Sequence, residues 1–100
     1  MIARGTTPTI KYTFTIVNVS EITDAYLTIK QGTITIERGF DTATIGENSI
    51  EWTLTQEETL KLSVKTDALI QCRYKTGDGK AYITKITKER PYDSLKEGEI

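Results

Sequence analysis

The chain predicts an all-β fold, an immunoglobulin-like two-sheet sandwich of about seven strands. Three observations carry that prediction. Apolar residues alternate with threonine and charged residues in short runs: Ile10, Tyr12, Phe14 and Ile16; Ala25, Leu27 and Ile29; Ile34 and Ile36; Ile50, Trp52 and Leu54; Ile70, Cys72 and Tyr74. Glycine-bearing turn signals at Gly32, Gly39, Gly46 and Gly77-Asp78-Gly79 separate these runs at close spacing. A period of two buries one face of an extended strand, and a single short stretch departs from it with a helical signature.

The elements follow in order. A lead-in of about seven residues ends at Thr7-Pro8, and proline suits the start or edge of a sheet because its φ is fixed and it has no N–H. Residues 9–17 alternate strictly and predict the first strand, with Thr13 and Thr15 on the solvated face. Residues 18–24 are a polar connector. Residues 25–31 and 33–37 predict a hairpin about Gly32, and Gly39 ends its second strand. Residues 42–45 predict a short fourth strand, residues 46–48 a turn, and residues 49–54 a fifth strand with Ile50, Trp52 and Leu54 on one face. Thr55-Gln56-Glu57-Glu58 is a capping box, so residues 56–60 predict one helical turn between the sheets, its acidic start matching the helix dipole. Residues 68–76 predict the sixth strand. Gly77-Asp78-Gly79 is a hairpin turn, and residues 80–87 predict the seventh strand, bulged where Ile83 and Ile86 break the alternation. Arg90-Pro91 ends the sheet. The whole reads as one domain over 1–100, with an N-terminal arm at 1–7 and a C-terminal tail at 91–100.

Composition narrows the function classes. Thirteen Lys and Arg against fourteen Asp and Glu give a net charge of −1, and the cations are scattered among carboxylates, which argues against a nucleic-acid partner. No apolar run is long enough to span a membrane, and the first residues lack the apolar stretch of a signal peptide. Histidine is absent and Cys72 is the only cysteine. Triad chemistry, His-containing zinc sites and an intrachain disulfide are therefore excluded.

The remaining candidates for chemistry have plainer readings. Glu57 and Glu58 resemble an acid/base pair, yet adjacent helical residues do not face each other, and capping explains them. Cys72 occupies an inward position of an alternating strand, as a small buried hydrophobe does. Asp78 lacks the ligand spacing of a calcium loop. Gly5-Thr6-Thr7 lacks the lysine and preceding strand of a phosphate loop. The expectation is a protein that is not an enzyme and has no catalytic, cofactor or metal site. Trp52 reads as core. Tyr26 and Tyr82 are read as pointing away from the core residues of their strands, as interface anchors would. Arg4, Leu95 and Ile100 stand in end segments that a seven-stranded core does not need, and complete the set of expected interface residues.

Four stretches carry a family resemblance: Arg4-Gly5-Thr6-Thr7-Pro8-Thr9; Leu54-Thr55-Gln56-Glu57-Glu58-Thr59-Leu60; Ile70-Gln71-Cys72-Arg73 with Gly77-Asp78-Gly79; and Glu97-Gly98-Glu99-Ile100. In this order they span nearly the whole chain, which resembles a family of small proteins of phages and prophages in Gram-positive, Clostridium-like bacteria. That family tends to have an aliphatic residue at Cys72 and serine at Thr84, both conservative departures. More distantly, the layout is similar to the immunoglobulin-like N-terminal domains of phage baseplate and tail-appendage proteins. The resemblance implies a virion structural or assembly component, made in the host cytoplasm and carried in the particle as a head, neck or tail accessory. It implies partners that are other copies of the chain and other phage structural proteins, in a homo-oligomer, and no enzymatic residues. The alternative expectation is a module that binds host-surface carbohydrate or protein, which would gain if Tyr26 and Tyr82 lay exposed side by side.

Overall fold

The computed structural model describes residues 2–100 and forms two antiparallel sheets packed face to face. One sheet has the order β1 (Thr9–Thr13), β5 (Ser49–Thr53), β4 (Thr44–Ile45). The other has the order β3 (Ile34–Gly39), β2 (Ile22–Gln31), β6 (Ala68–Thr76), β7 (Ala81–Ile83), with β8 (Thr87–Glu89) also pairing with β6. This is the immunoglobulin-type strand order. β1, β5 and β4 stand where strands B, E and D stand, and β3, β2, β6 and the β7–β8 edge stand at C′, C, F and G.

Alternation builds the core. Ala25, Leu27 and Ile29 of β2, Ala68, Ile70 and Cys72 of β6, and Ile50 and Trp52 of β5 with Leu54 after it are all buried. A register shift between Ile22 and Asp24 turns Ile22 inward as well, although it precedes Ala25 by three residues. Burying each large apolar side chain contributes on the order of 1.5–3 kcal/mol. Gly32 takes a left-handed φ of 59° at the β2–β3 turn, and Gly79 one of 85° at the β6–β7 turn.

Two polar ties close the sandwich at one end. The Trp52 indole Nε1–H donates to Gly39 O at 2.9 Å, joining β5 to β3. Arg38, also on β3, donates from one guanidinium nitrogen to Thr53 O at 3.0 Å and to Glu58 Oε1 at 2.8 Å. Helix α1 (Gln56–Leu60) starts with the expected capping box. Glu58 N–H donates to Thr55 Oγ1 at 3.1 Å, and Thr55 N–H donates to Glu58 Oε1 at 2.9 Å. Buried Gln31 holds the loop that follows. Its amide donates to Ser63 O and Thr66 O, both at 2.8 Å, and its carbonyl accepts from Ser63 N–H at 2.6 Å.

Strand β2 starts at Ile22, within the expected connector, and β4 is trimmed to Thr44–Ile45 by a 3-10 turn over Phe40–Thr42, while two other strands depart further from the sequence expectations. The first ends at Thr13 rather than Val17, because its partner β5 starts at Ser49 and offers nothing beyond Asn48 O, which accepts from Phe14 N–H. Phe14 is half-buried against the edge of Tyr74, while Ile16 is 96% exposed. The expected seventh strand is two strands. Between them the Thr84 side chain takes over one ladder position: Cys72 N–H donates to Thr84 Oγ1 at 3.0 Å, and Thr84 N–H donates to Cys72 O at 2.9 Å.

The end segments lie against each other. Arg4 N–H donates to Tyr92 O and Tyr92 N–H to Ile2 O, a parallel bridge around Ala3, and Pro91 is buried beside it. Of the expected arm at 1–7, Met1 lies outside the described residues.

Candidate interaction surfaces

Most of the side chains singled out as candidates for chemistry serve the fold. Glu58 serves the helix cap and Arg38, and Glu57 stands exposed beside it. Cys72 is fully buried in β6, and burial pushes its thiol up to about 11, so it is protonated at neutral pH and is no nucleophile there. Asp78 organises the β6–β7 turn by accepting from the Thr76 hydroxyl and from Lys80 N–H at 3.1 Å. The Thr76 bond, ahead of the Lys80 one, holds its carboxyl below the usual range. Gly5 N–H, in the stretch set against a phosphate loop, donates to Thr59 Oγ1 at 3.0 Å. Among the described residues no three His, Cys, Asp or Glu side chains are placed to hold a metal ion, and no helix is long and apolar enough to cross a membrane.

The five expected interface residues separate into three groups. Arg4 is a tie within the chain: it donates to Asp93 Oδ1 at 2.6 Å and to Leu60 O at 3.0 Å, linking both end segments to α1. Tyr26 and Tyr82 lie on opposite faces of the five-stranded sheet. Tyr26 shares a row with Arg73 on the outer face and is 44% exposed. Tyr82 pairs with Tyr74, which has the same parity as Ile70 and Cys72, so it points toward the core side and not away from it. Its ring stacks on Tyr74 with centroids 5.2 Å apart, at the end of the sandwich where the core has run out, and it is 36% exposed. Ile83, not Tyr82, shares the outward row of Arg73.

Leu95 and Ile100 are both exposed on a tail that is pinned at each end. Asp93 is held by Arg4. The backbone of Ile100 is gripped by Gln56, whose Oε1 accepts from Ile100 N–H at 2.7 Å and whose Nε2 donates to Ile100 O at 3.3 Å.

The sequence reading missed a further surface. On the outer face of the five-stranded sheet, Leu69 and Ile86, both exposed, border a groove with Thr28, Gln71, Lys30 and Arg73. Register places Lys30 beside Leu69, Leu69 beside Lys88, and Thr28 beside Gln71. The only sequence signal was Leu69 itself, an apolar residue at an outward position of an alternating strand. No family model, curated protein or solved structure matches the chain.

A second groove runs between β1 and β8, lined by Ile10, Tyr12, Ile70 and Thr87. Pro8 and Lys11 sit on its β1 side, as residues that discourage strand pairing commonly do on a sheet edge. The outer face of the three-stranded sheet is threonine-rich: Thr9 and Thr53 hydroxyls lie 3.0 Å apart across β1 and β5.

Proposed function

We propose that the chain is a non-enzymatic structural or assembly component of a phage particle, a head, neck, tail or baseplate accessory. It works through protein–protein contacts, with copies of itself and with other structural proteins, in the virion and in the host cytoplasm during assembly. The observation that carries this reading is the disposition of exposed apolar side chains. Leu69 and Ile86 sit together on a sheet face, and Leu95 and Ile100 sit on a pinned projection. Isolated exposed apolar residues are ordinary, but grouped ones on a sandwich this small mark contact surfaces. The resemblance of the four sequence stretches to phage and prophage proteins supplies the setting.

The alternative, a module that binds host-surface carbohydrate or protein, would have gained support from Tyr26 and Tyr82 lying exposed side by side. They face opposite sides of the sheet, so that support is lost.

The test is complementation. A prophage deleted for this gene, supplied with the wild-type chain, should recover particle yield. The folded variants Leu69→Asp and Leu95→Asp should not restore it. Normal particles from the deletion strain would contradict the reading.

A further inference from the structure

The molecule carries two unlike apolar surfaces with opposite charge character. The projection is residues 93–100, whose chain turns at Gly98 with φ 77°. Leu95 stands fully exposed on it, and Glu97 and Glu99 outnumber Lys96 once Asp93 is paired with Arg4. Because Arg4 and Gln56 already fix both ends, docking this loop orders little that is not ordered beforehand, which lowers the entropic cost of binding.

The face is the outer side of the five-stranded sheet. Lys30, Arg73, Lys75 and Lys88 stand on it against two carboxylates, Glu37 and Asp24, and Asp24 lies directly opposite Lys75. Leu69 and Ile86 border its groove.

We propose that the projection of one copy docks on this face of a second copy, with Leu95 seated between Leu69 and Ile86 and with Glu97 and Glu99 directed at Lys30 and Arg73. The inference rests on the assembly reading above and goes beyond it by naming the two surfaces. Because they are different patches, the contact is heterologous, and repeated contacts of this kind close into a ring or run on as a filament. Apolar burial supplies the affinity, and the opposite charges set the orientation and raise the encounter rate.

Sedimentation velocity on the purified chain tests this. The wild type forms oligomers that weaken as salt is raised to about 0.5 M, where exposed charges are screened. Leu95→Asp and, separately, Leu69→Asp each lower the self-association constant on the order of tenfold or more. Mixed in equal amounts, the two variants form a one-to-one pair and nothing larger, because one retains the face and the other retains the projection. Circular dichroism checks the fold of each. Should Leu69→Asp fail to fold, the exposed pair Lys30→Glu and Arg73→Glu takes its place in the mixture. A wild-type chain that stays monomeric at about millimolar concentration overturns the inference, as do oligomers indifferent to Leu95→Asp and a variant mixture that stays monomeric. The assembly reading fails separately. A chain found in particles but monomeric alone overturns only the docking inference, whereas a chain that self-associates by these surfaces but is missing from particles overturns only the phage role.

Discussion

Replacing Trp52 by phenylalanine tests how the two sheets are held together. The indole is fully buried, and its N–H is donated across the sandwich to Gly39 O at 2.9 Å. Phenylalanine removes that donor, and because Gly39 O keeps a bond from the Thr42 hydroxyl at 3.1 Å, the loss costs about 0.5–1.5 kcal/mol. The smaller ring also leaves a void of about 40 Å³, worth about 1 kcal/mol at 24 cal/mol per Å³. The sum is about 1.5–2.5 kcal/mol, a sizeable share of the roughly 5–15 kcal/mol typical of a whole domain. In a domain of this size it lowers Tm by roughly 6–20 °C. Urea unfolding followed by far-UV circular dichroism reads the change, because the substitution removes the only tryptophan and with it the natural fluorescence probe. The slope of the transition should stay constant while the midpoint falls. Tyr26→Phe, at an exposed position, is the control and should stay within about 0.5 kcal/mol of wild type. A Trp52→Phe cost as small as that control would refute the cross-sheet tie.

Other predictions concern groups buried for structural reasons. Gln31→Ala strips Ser63 N–H, Ser63 O and Thr66 O of their partner and should cost about 2–4 kcal/mol. It should also speed tryptic cleavage at Lys65 in the loosened loop, and an unchanged digestion rate would contradict the anchoring role. Alkaline pH should destabilise the fold. The Cys72 thiol is raised from 9.0 to about 11, and Tyr12 and Tyr74 are raised above 10.0, each chiefly by burial. Groups raised in the folded state stabilise it fully below their unfolded pKa and lose that contribution as pH climbs through the folded one. The urea midpoint should therefore fall between about pH 9 and 11, and Cys72→Ala should flatten part of that fall. A midpoint constant over this range would contradict the burial of these groups. At pH 8, thiol reagents should label native Cys72 only as fast as the chain opens.

Much of the fold was legible because local and tertiary preferences agree. The β6 alternation runs from Ala68 to Thr76, and the Thr55 capping box starts α1 at Gln56, both where the pattern put them. The pattern failed where a strand depends on its partner. Phe14 and Ile16 continue the alternation of β1, but β5 is too short to pair with them, and Ile16 is left in water. It failed again where a side chain replaces backbone pairing, since nothing marks Thr84 as the residue that interrupts the last strand. The interface residues were partly legible. Leu95 and Ile100 stood out as apolar residues in a polar tail, whereas the anchoring of that tail by Gln56 and Arg4 joins residues far apart in sequence. The Leu69–Ile86 groove depends on how β8 follows β7 along β6, which periodicity does not encode.

Quantitative mass spectrometry of gradient-purified phage particles, counting copies of this chain against the major capsid protein, bears most directly on the proposed role in particle assembly. A fixed, multiple copy number that falls in particles carrying Leu69→Asp is the expected result. Particles complete without the chain, with all of it left in the soluble lysate, would contradict the account.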